Sequence, residues 1–132
     1  MSSMTLEAQT AKELMTANPV SISEHAAIID AASILSNRGF SALAVVNDAG
    51  HLVGVVSRTD IVRREAKHSG RTDVREIMTA MVLSVRPEDP AWEVVAKMSA
   101  HKVHRLFVVD RSGVLKGVIS AIDIVRKLRQ AT

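Results

Sequence analysis

The sequence predicts an α/β (α+β) fold made of two β-α-β-β-α repeats, packed about a pseudo-twofold axis through their sheets. Three observations point there. Residues 11–65 return as residues 74–128 at a constant offset of 63, without a gap. Glu13-Leu14-Met15-Thr16-Ala17 reappears as Glu76-Ile77-Met78-Thr79-Ala80, and Gly54-Val55-Val56-Ser57 as Gly117-Val118-Ile119-Ser120. Within each copy, short apolar runs bounded by turn residues flank a stretch of helical apolar spacing, which is the pattern of mixed layers. Finally, hydrophobic residues make up 47% of the 132 but aromatics only 2%, so the core must be fitted from Val, Ile, Leu, Ala and Met. Such a duplication also implies two equivalent clefts between the copies.

Each element follows in order. Residues 1–10 are small and polar and should form a flexible N-terminal tail. Ala11 to Met15 reads as a helical turn; Pro19 then forces extension into a brief strand, Val20-Ser21-Ile22. Apolar residues at 27, 28, 31, 32, 34 and 35 give residues 26–38 one buried helical stripe, and Gly39 supplies the stop. Leu43 to Val46 is a buried strand, Asn47-Asp48-Ala49-Gly50 is a turn, and Leu52 to Val56 is the antiparallel return. A second helix runs from Arg58 to about Lys67 and breaks at Ser69-Gly70. The second copy repeats the order, with Asp89 as expected N-cap and Pro90 as first helical residue. The domains are therefore a repeat at 11–68, a linker at 69–73 and a repeat at 74–130. A copy of about 60 residues buries too little surface to be stable alone, so the halves should share a core.

Composition excludes several classes. With no Cys there is neither a disulfide framework nor a thiolate metal site. A net charge of +3, with cations interleaved among acids, falls short of the clustered basic face that nucleic acid requires. The N-terminus lacks a basic and an apolar region of a signal peptide, and no apolar run approaches the ~20 residues of a membrane span. A cytoplasmic protein is expected. No nucleophile–base–acid set and no phosphate-cradling Gly-rich loop is present, so an enzyme is not.

The motifs have structural readings too. Ser57-x-x-Asp60 and Ser120-x-x-Asp123 stand where a strand meets a helix, and Ser with an acid three residues on closes a capping box without any ligand. His104-Arg105 reads equally as a solvated strand edge. His101 and His104 lack the further ligands of a metal site. Trp92 suits packing or a dimer interface, and Arg63-Arg64 and Arg126-Lys127 suit solvated helix ends that complement the dipole.

Taken in order, these features resemble the CBS domain, and the tandem resembles a Bateman module, over about residues 11–128. The residues carrying the resemblance are Met15-Thr16 and Met78-Thr79, the strands ending in Asn47 and Asp110, and above all Gly54-x-x-Ser57-x-x-Asp60 and Gly117-x-x-Ser120-x-x-Asp123. One departure concerns the second strand, where the family often has Pro and this chain has Ala44 and Phe107. The second copy, Val103-His104-Arg105-Leu106-Phe107-Val108-Val109-Asp110, is similar to repeats of AMP-activated protein kinase γ subunits.

The resemblance implies that the Asp of each Ser-x-x-Asp holds ribose hydroxyls, while a His-Arg pair from the other repeat reaches the phosphate. Carried over, one nucleotide cleft takes Thr16, Asn18, Val20, Val56, Ser57, Asp60, His104 and Arg105. The mirror cleft takes Thr79, Leu83, Ser120 and Asp123; there Ser41 and Ala42 replace the His-Arg pair, so phosphate should bind more weakly. The chemistry is apt. A carboxylate accepts the hydrogen bonds of a diol, but repels phosphate, which must sit near cations: Arg105 can offer a planar fork, and His104 can donate one further bond. Val20 and Val55-Val56 would supply an apolar slot for the base, and the amides of residues 18–20 would read its edge.

The expected function is a regulatory sensor of AMP, ADP, ATP or another adenosine derivative such as S-adenosylmethionine or NAD, with no cofactor required. It would work by a ligand-induced shift of repeat or dimer arrangement. The resemblance further implies a homodimer that signals to a separate, unidentified protein. The rivals are a ligand-free dimerisation scaffold and, less favoured, a nucleic-acid-binding protein.

Overall fold

The computed structural model describes residues 3–67 and 72–130. The expected break at Ser69-Gly70 lies outside them. In chain order the elements are β1 (Met4–Leu6), α1 (Ala11–Leu14), β2 (Thr16–Ala17), β3 (Ser21–Ser23), α2 (Ile28–Arg38), β4 (Ala42–Val46), β5 (Leu52–Ser57), α3 (Arg58–Ala66), α4 (Val74–Ile77), β6 (Ser84–Val85), α5 (Ala91–His101), β7 (Arg105–Val109), β8 (Leu115–Ser120), α6 (Ala121–Arg126) and β9 (Leu128–Gln130). The fold is mixed α/β.

Local chemistry accounts for most boundaries. Gly39 ends α2 at φ 67°, and its amide donates to the Leu35 carbonyl, a left-handed stop that costs glycine little. At the equivalent place Lys102 ends α5 with φ 53°, so the device survives without glycine. In the β4–β5 turn the Asn47 Oδ1 accepts from the amides of Ala49 and His51. In the β7–β8 turn the Asp110 Oδ1 accepts from the Ser112 and Val114 amides and the Ser112 hydroxyl. Those bonds, the Val114 amide foremost, hold the Asp110 carboxyl below the usual carboxylate range.

Two expectations need correction. The N-terminal stretch is not wholly a loose tail: Met4–Leu6 pairs antiparallel with Leu128–Gln130, Met4 opposite Gln130 and Leu6 opposite Leu128. Pro90, not Asp89, is the N-cap of α5. The Asp89 carboxylate instead accepts from the Arg86 amide at 2.9 Å, closing the turn before the helix.

The elements form two compact units that cut across the sequence repeats: one is Val20–Val82, and the other joins the chain up to Pro19 with Leu83 onward. In the Val20–Val82 unit, β4 is central, parallel to β3 and antiparallel to β5. Ile22, Ala31, Leu35, Leu43, Val45, Val56 and Val74 form its core. In the other unit the sheet order is β2-β8-β7-β6. Its core comprises Ala11, Leu14, Val85, Ala91, Val94, Met98, Leu106, Val108 and Ile119. Leu43, Val56, Leu106 and Ile119 are at most 1% exposed, and each such burial contributes about 1.5–3 kcal/mol.

Each core thus draws on both sequence repeats. Ala11 and Leu14, from the first copy, pack with second-copy strands, and Val74, from the second copy, packs with first-copy strands. The sharing that short repeats require is achieved by exchanging the opening helical turn. No described helix is long and apolar enough to cross a membrane.

Candidate functional site

In the Val20–Val82 unit, β5 runs straight into α3. Ser57 is still extended (φ −117°, ψ 166°) and serves as N-cap. The Asp60 Oδ2 accepts from the Ser57 amide at 2.8 Å and from its hydroxyl at 2.9 Å, while the Asp60 amide donates to the Ser57 Oγ at 3.2 Å. This is a closed capping box, so the structural reading of the motif is realised. It uses one carboxylate oxygen. The other, Oδ1, lies 3.7 Å from the Arg63 Nη1.

Beside this junction sits Thr79. Its amide and carbonyl bond with Val55 at 2.8 and 2.9 Å, placing it two residues before Ser57. Gly54 permits this approach, because a Cβ there would lie 2.6 Å from the Met78 Sδ and 2.8 Å from the Thr79 carbonyl oxygen. Glycine here answers a steric demand.

The other unit repeats the device. The Asp123 Oδ2 accepts from the Ser120 amide at 2.8 Å and its hydroxyl at 2.9 Å. Thr16 and Ala17 pair with Val118 and Gly117, and the Asn18 amide donates to the Lys116 carbonyl. Asn18 takes a left-handed φ of 53°, which Asn tolerates better than most side chains. His104 is exposed and Arg105 half-buried. Both adjoin this unit's helix start: Arg105 is the sheet partner of Ser120, and the Ala121 amide donates to the His104 carbonyl.

The grouping drawn from the sequence therefore changes. Thr16 and Asn18, expected with Ser57 and Asp60, lie along the strand that leads to Ser120 and Asp123. Thr79, expected with Ser120 and Asp123, lies beside the strand that leads to Ser57 and Asp60. The cause is the exchange of opening segments between the repeats. Val20 does share a unit with Asp60, and Leu83 with Asp123; both pack against their own core. Val56 is corrected too. It is fully buried in the core, so strand alternation leaves Val55, not Val56, a side chain for any slot.

Arg63 and Arg64, which suited a solvated helix end by sequence, gain a partner in Lys67. Arg63, Arg64 and Lys67 line a cavity with Asp60, Glu76 and Ile77, of about 220 Å³. Their signal was in the sequence: with Asp60 they fall at i, i+3, i+4 and i+7, one face of a helix. Among the described residues, no cluster of His, Asp or Glu could hold a metal ion.

Comparison with known proteins agrees with this architecture. The CBS-domain pattern matches residues 11–67 and 74–130. Over 114 residues the chain is 35% identical to the γ-3 subunit of 5'-AMP-activated protein kinase from Bos taurus, covering 80% of this chain and 23% of the relative. It is 29% identical over 115 residues to L-aspartate semialdehyde sulfurtransferase of Methanocaldococcus jannaschii, covering 87% and 22%. The chain thus spans about a quarter of the length of these relatives. Among solved structures, CBSX2 in complex with AMP superposes with a TM-score of 0.79 at 28% identity, covering 90% of this chain and 95% of that one. The CBS domain pair of protein MJ0100, in complex with 5'-methylthioadenosine and S-adenosyl-L-methionine, gives 0.75 at 28%, covering 89% and 97%. The cytosolic domain of the Mg2+ channel MgtE, in complex with ATP, gives 0.77 at 28%, covering 89% and 48%. With two matched copies spanning most of its length, the chain belongs to the CBS-domain family and is a tandem pair, a Bateman module.

Proposed function

We propose that the chain is a regulatory module, not an enzyme, that binds an adenosine derivative and signals by a shift in the arrangement of its repeats. The observation that carries this reading is the spare carboxylate oxygen at each strand-to-helix junction. Closing the cap uses only Oδ2 of Asp60 and of Asp123. Oδ1 is left to accept from a ribose diol. Similar CBS pairs are seen with AMP, with ATP and with S-adenosylmethionine, which supports an adenosine-type ligand. Signalling then requires only that the ligand favour one arrangement over another.

A second reading has its own support: the cap is complete without any ligand, which a scaffold would also need. Exposed Ile29 and Val62 in one unit, and Trp92, Ile122 and Val125 in the other, suit self-association into a homodimer under either reading.

A thermal-shift panel of AMP, ADP, ATP, NAD and S-adenosylmethionine separates the two. A ligand at 100 times its Kd stabilises by about 2.7 kcal/mol, a rise of several degrees for a chain of this size. The sensor reading expects that rise with at least one adenosine compound. A flat response to all five, with light scattering at twice 14.3 kDa, would leave the scaffold.

A further inference from the structure

The cavity on α3 adds to the site in a way the capping motif does not. Asp60, Arg63, Arg64 and Lys67 share one helix face, and their Cα atoms span about 10 Å along the axis at 1.5 Å per residue. That span is comparable with an extended triphosphate. Three cations outnumber the two carboxylates, Asp60 and Glu76, that line the same cavity. The helix offers no help to an anion here, because its C-terminal end carries the negative pole. Attraction must come from the side chains themselves.

We propose that Arg63, Arg64 and Lys67 form a subsite for the phosphate chain of a nucleoside di- or triphosphate whose ribose is held by Asp60. The proposal rests on the ribose assignment above and deepens it by naming the ligand class. It also gives Arg63 a specific job. Its guanidinium stands 3.7 Å from the Asp60 Oδ1, too far for a hydrogen bond. A ribose diol that donates to Oδ1 satisfies that oxygen and releases Arg63 to turn toward phosphate. Glu76 then opposes the anion and sets an upper limit on its affinity. S-adenosylmethionine, whose sulfonium is cationic, gains nothing from these three residues.

The test is calorimetric titration of the full chain with Mg2+-free ATP and with AMP, in wild type, Arg63→Gln/Lys67→Gln and Glu76→Gln. Arg63 and Lys67 are surface side chains, so the variants should fold, and circular dichroism checks it. Wild type should bind ATP more tightly than AMP. The double variant should weaken ATP more than AMP, so that the ATP-to-AMP affinity ratio falls about three- to tenfold, the combined size of two exposed charge contacts. Glu76→Gln should raise the ratio. Raising salt should lower it, because exposed charges are screened. If AMP binds but the ratio is the same in wild type and double variant, the subsite does not exist and the proposed function stands. If neither nucleotide binds wild type, the subsite does not exist, and the five-compound panel alone decides the proposed function.

Discussion

The Ser57–Asp60 and Ser120–Asp123 junctions have the same backbone chemistry and different surroundings. In both, a carboxylate Oδ2 accepts from the amide and hydroxyl of the Ser three residues earlier, at 2.8 and 2.9 Å. Past the first turn they diverge. α3 runs on to Ala66 and brings Arg63, Arg64 and Lys67 round to the face of Asp60. α6 stops at Arg126, because the chain then enters β9 to pair with β1; the counterpart of Lys67 is Gln130, in that strand. Duplication has kept what starts the helix and two of the cations beyond it, with Arg126 and Lys127 at the counterparts of Arg63 and Arg64, and has changed the third. What differs is the length of the helix: α3 has room for Lys67 on the face of Asp60, whereas β9 takes that place in the second copy.

The largest effects should come from the glycines that admit the exchanged segments. A Cβ on Gly54 meets the Thr79 carbonyl oxygen at 2.8 Å as well as the Met78 sulfur, whereas a Cβ on Gly117 meets only side-chain atoms of Met15. Backbone held by two hydrogen bonds yields less readily than a thioether. Gly54→Ala should therefore cost about 2–3 kcal/mol and Gly117→Ala about 1 kcal/mol, read as urea midpoints. Equal costs would mean that the Thr79 bridge moves as easily as a methionine.

Those glycines also mark the limit of what could be read from the sequence. Helices α2, α3 and α5 and strands β4 and β5 follow from local periodicity and turn chemistry, which depend on neighbours in the chain. Partner choice does not. Nothing in Thr16 or Thr79 alone says whose strand each will join, which is why their grouping had to be reversed. Gly54 and Gly117 carried the clue as strand positions where a Cβ would be crowded, but a strand glycine does not name the segment that approaches it. β1 and β9 were missed because three residues are too few to display an alternation. The cations of α3 were visible at helical spacing, but without α4 beside them they read as complements to the dipole.

Next in size is the comparison of the two carboxylates. Asp60→Ala and Asp123→Ala each open one capping box and should each cost about 1 kcal/mol of stability. Their ligand effects should differ. Asp60 shares its unit's cavity with three cations, so its loss should abolish most of the thermal shift produced by ATP, while loss of Asp123 should leave most of it. If the two variants lose the shift equally, the divergence of the second turn has no bearing on binding.

The smallest effect concerns the turns that precede these junctions. Asn47 and Asp110 occupy equivalent positions and accept equivalent amide bonds, but only Asp110 titrates. Its carboxyl is held below the usual carboxylate range, chiefly by the Val114 amide and then by the Ser112 hydroxyl, with Lys116 adding attraction at 3.8 Å. A depressed folded-state pKa contributes stability that is present above the unfolded value and is lost as pH falls through the folded one. Asp110→Asn turns this turn into a copy of the Asn47 turn and removes that loss. The variant should be slightly less stable than wild type at pH 7, and the difference should shrink below about pH 4 as the wild-type carboxylate protonates. Urea midpoints at pH 7 and pH 3 measure it. A gap between the two proteins that widens on acidification would mean that the carboxylate charge is not what strengthens the turn.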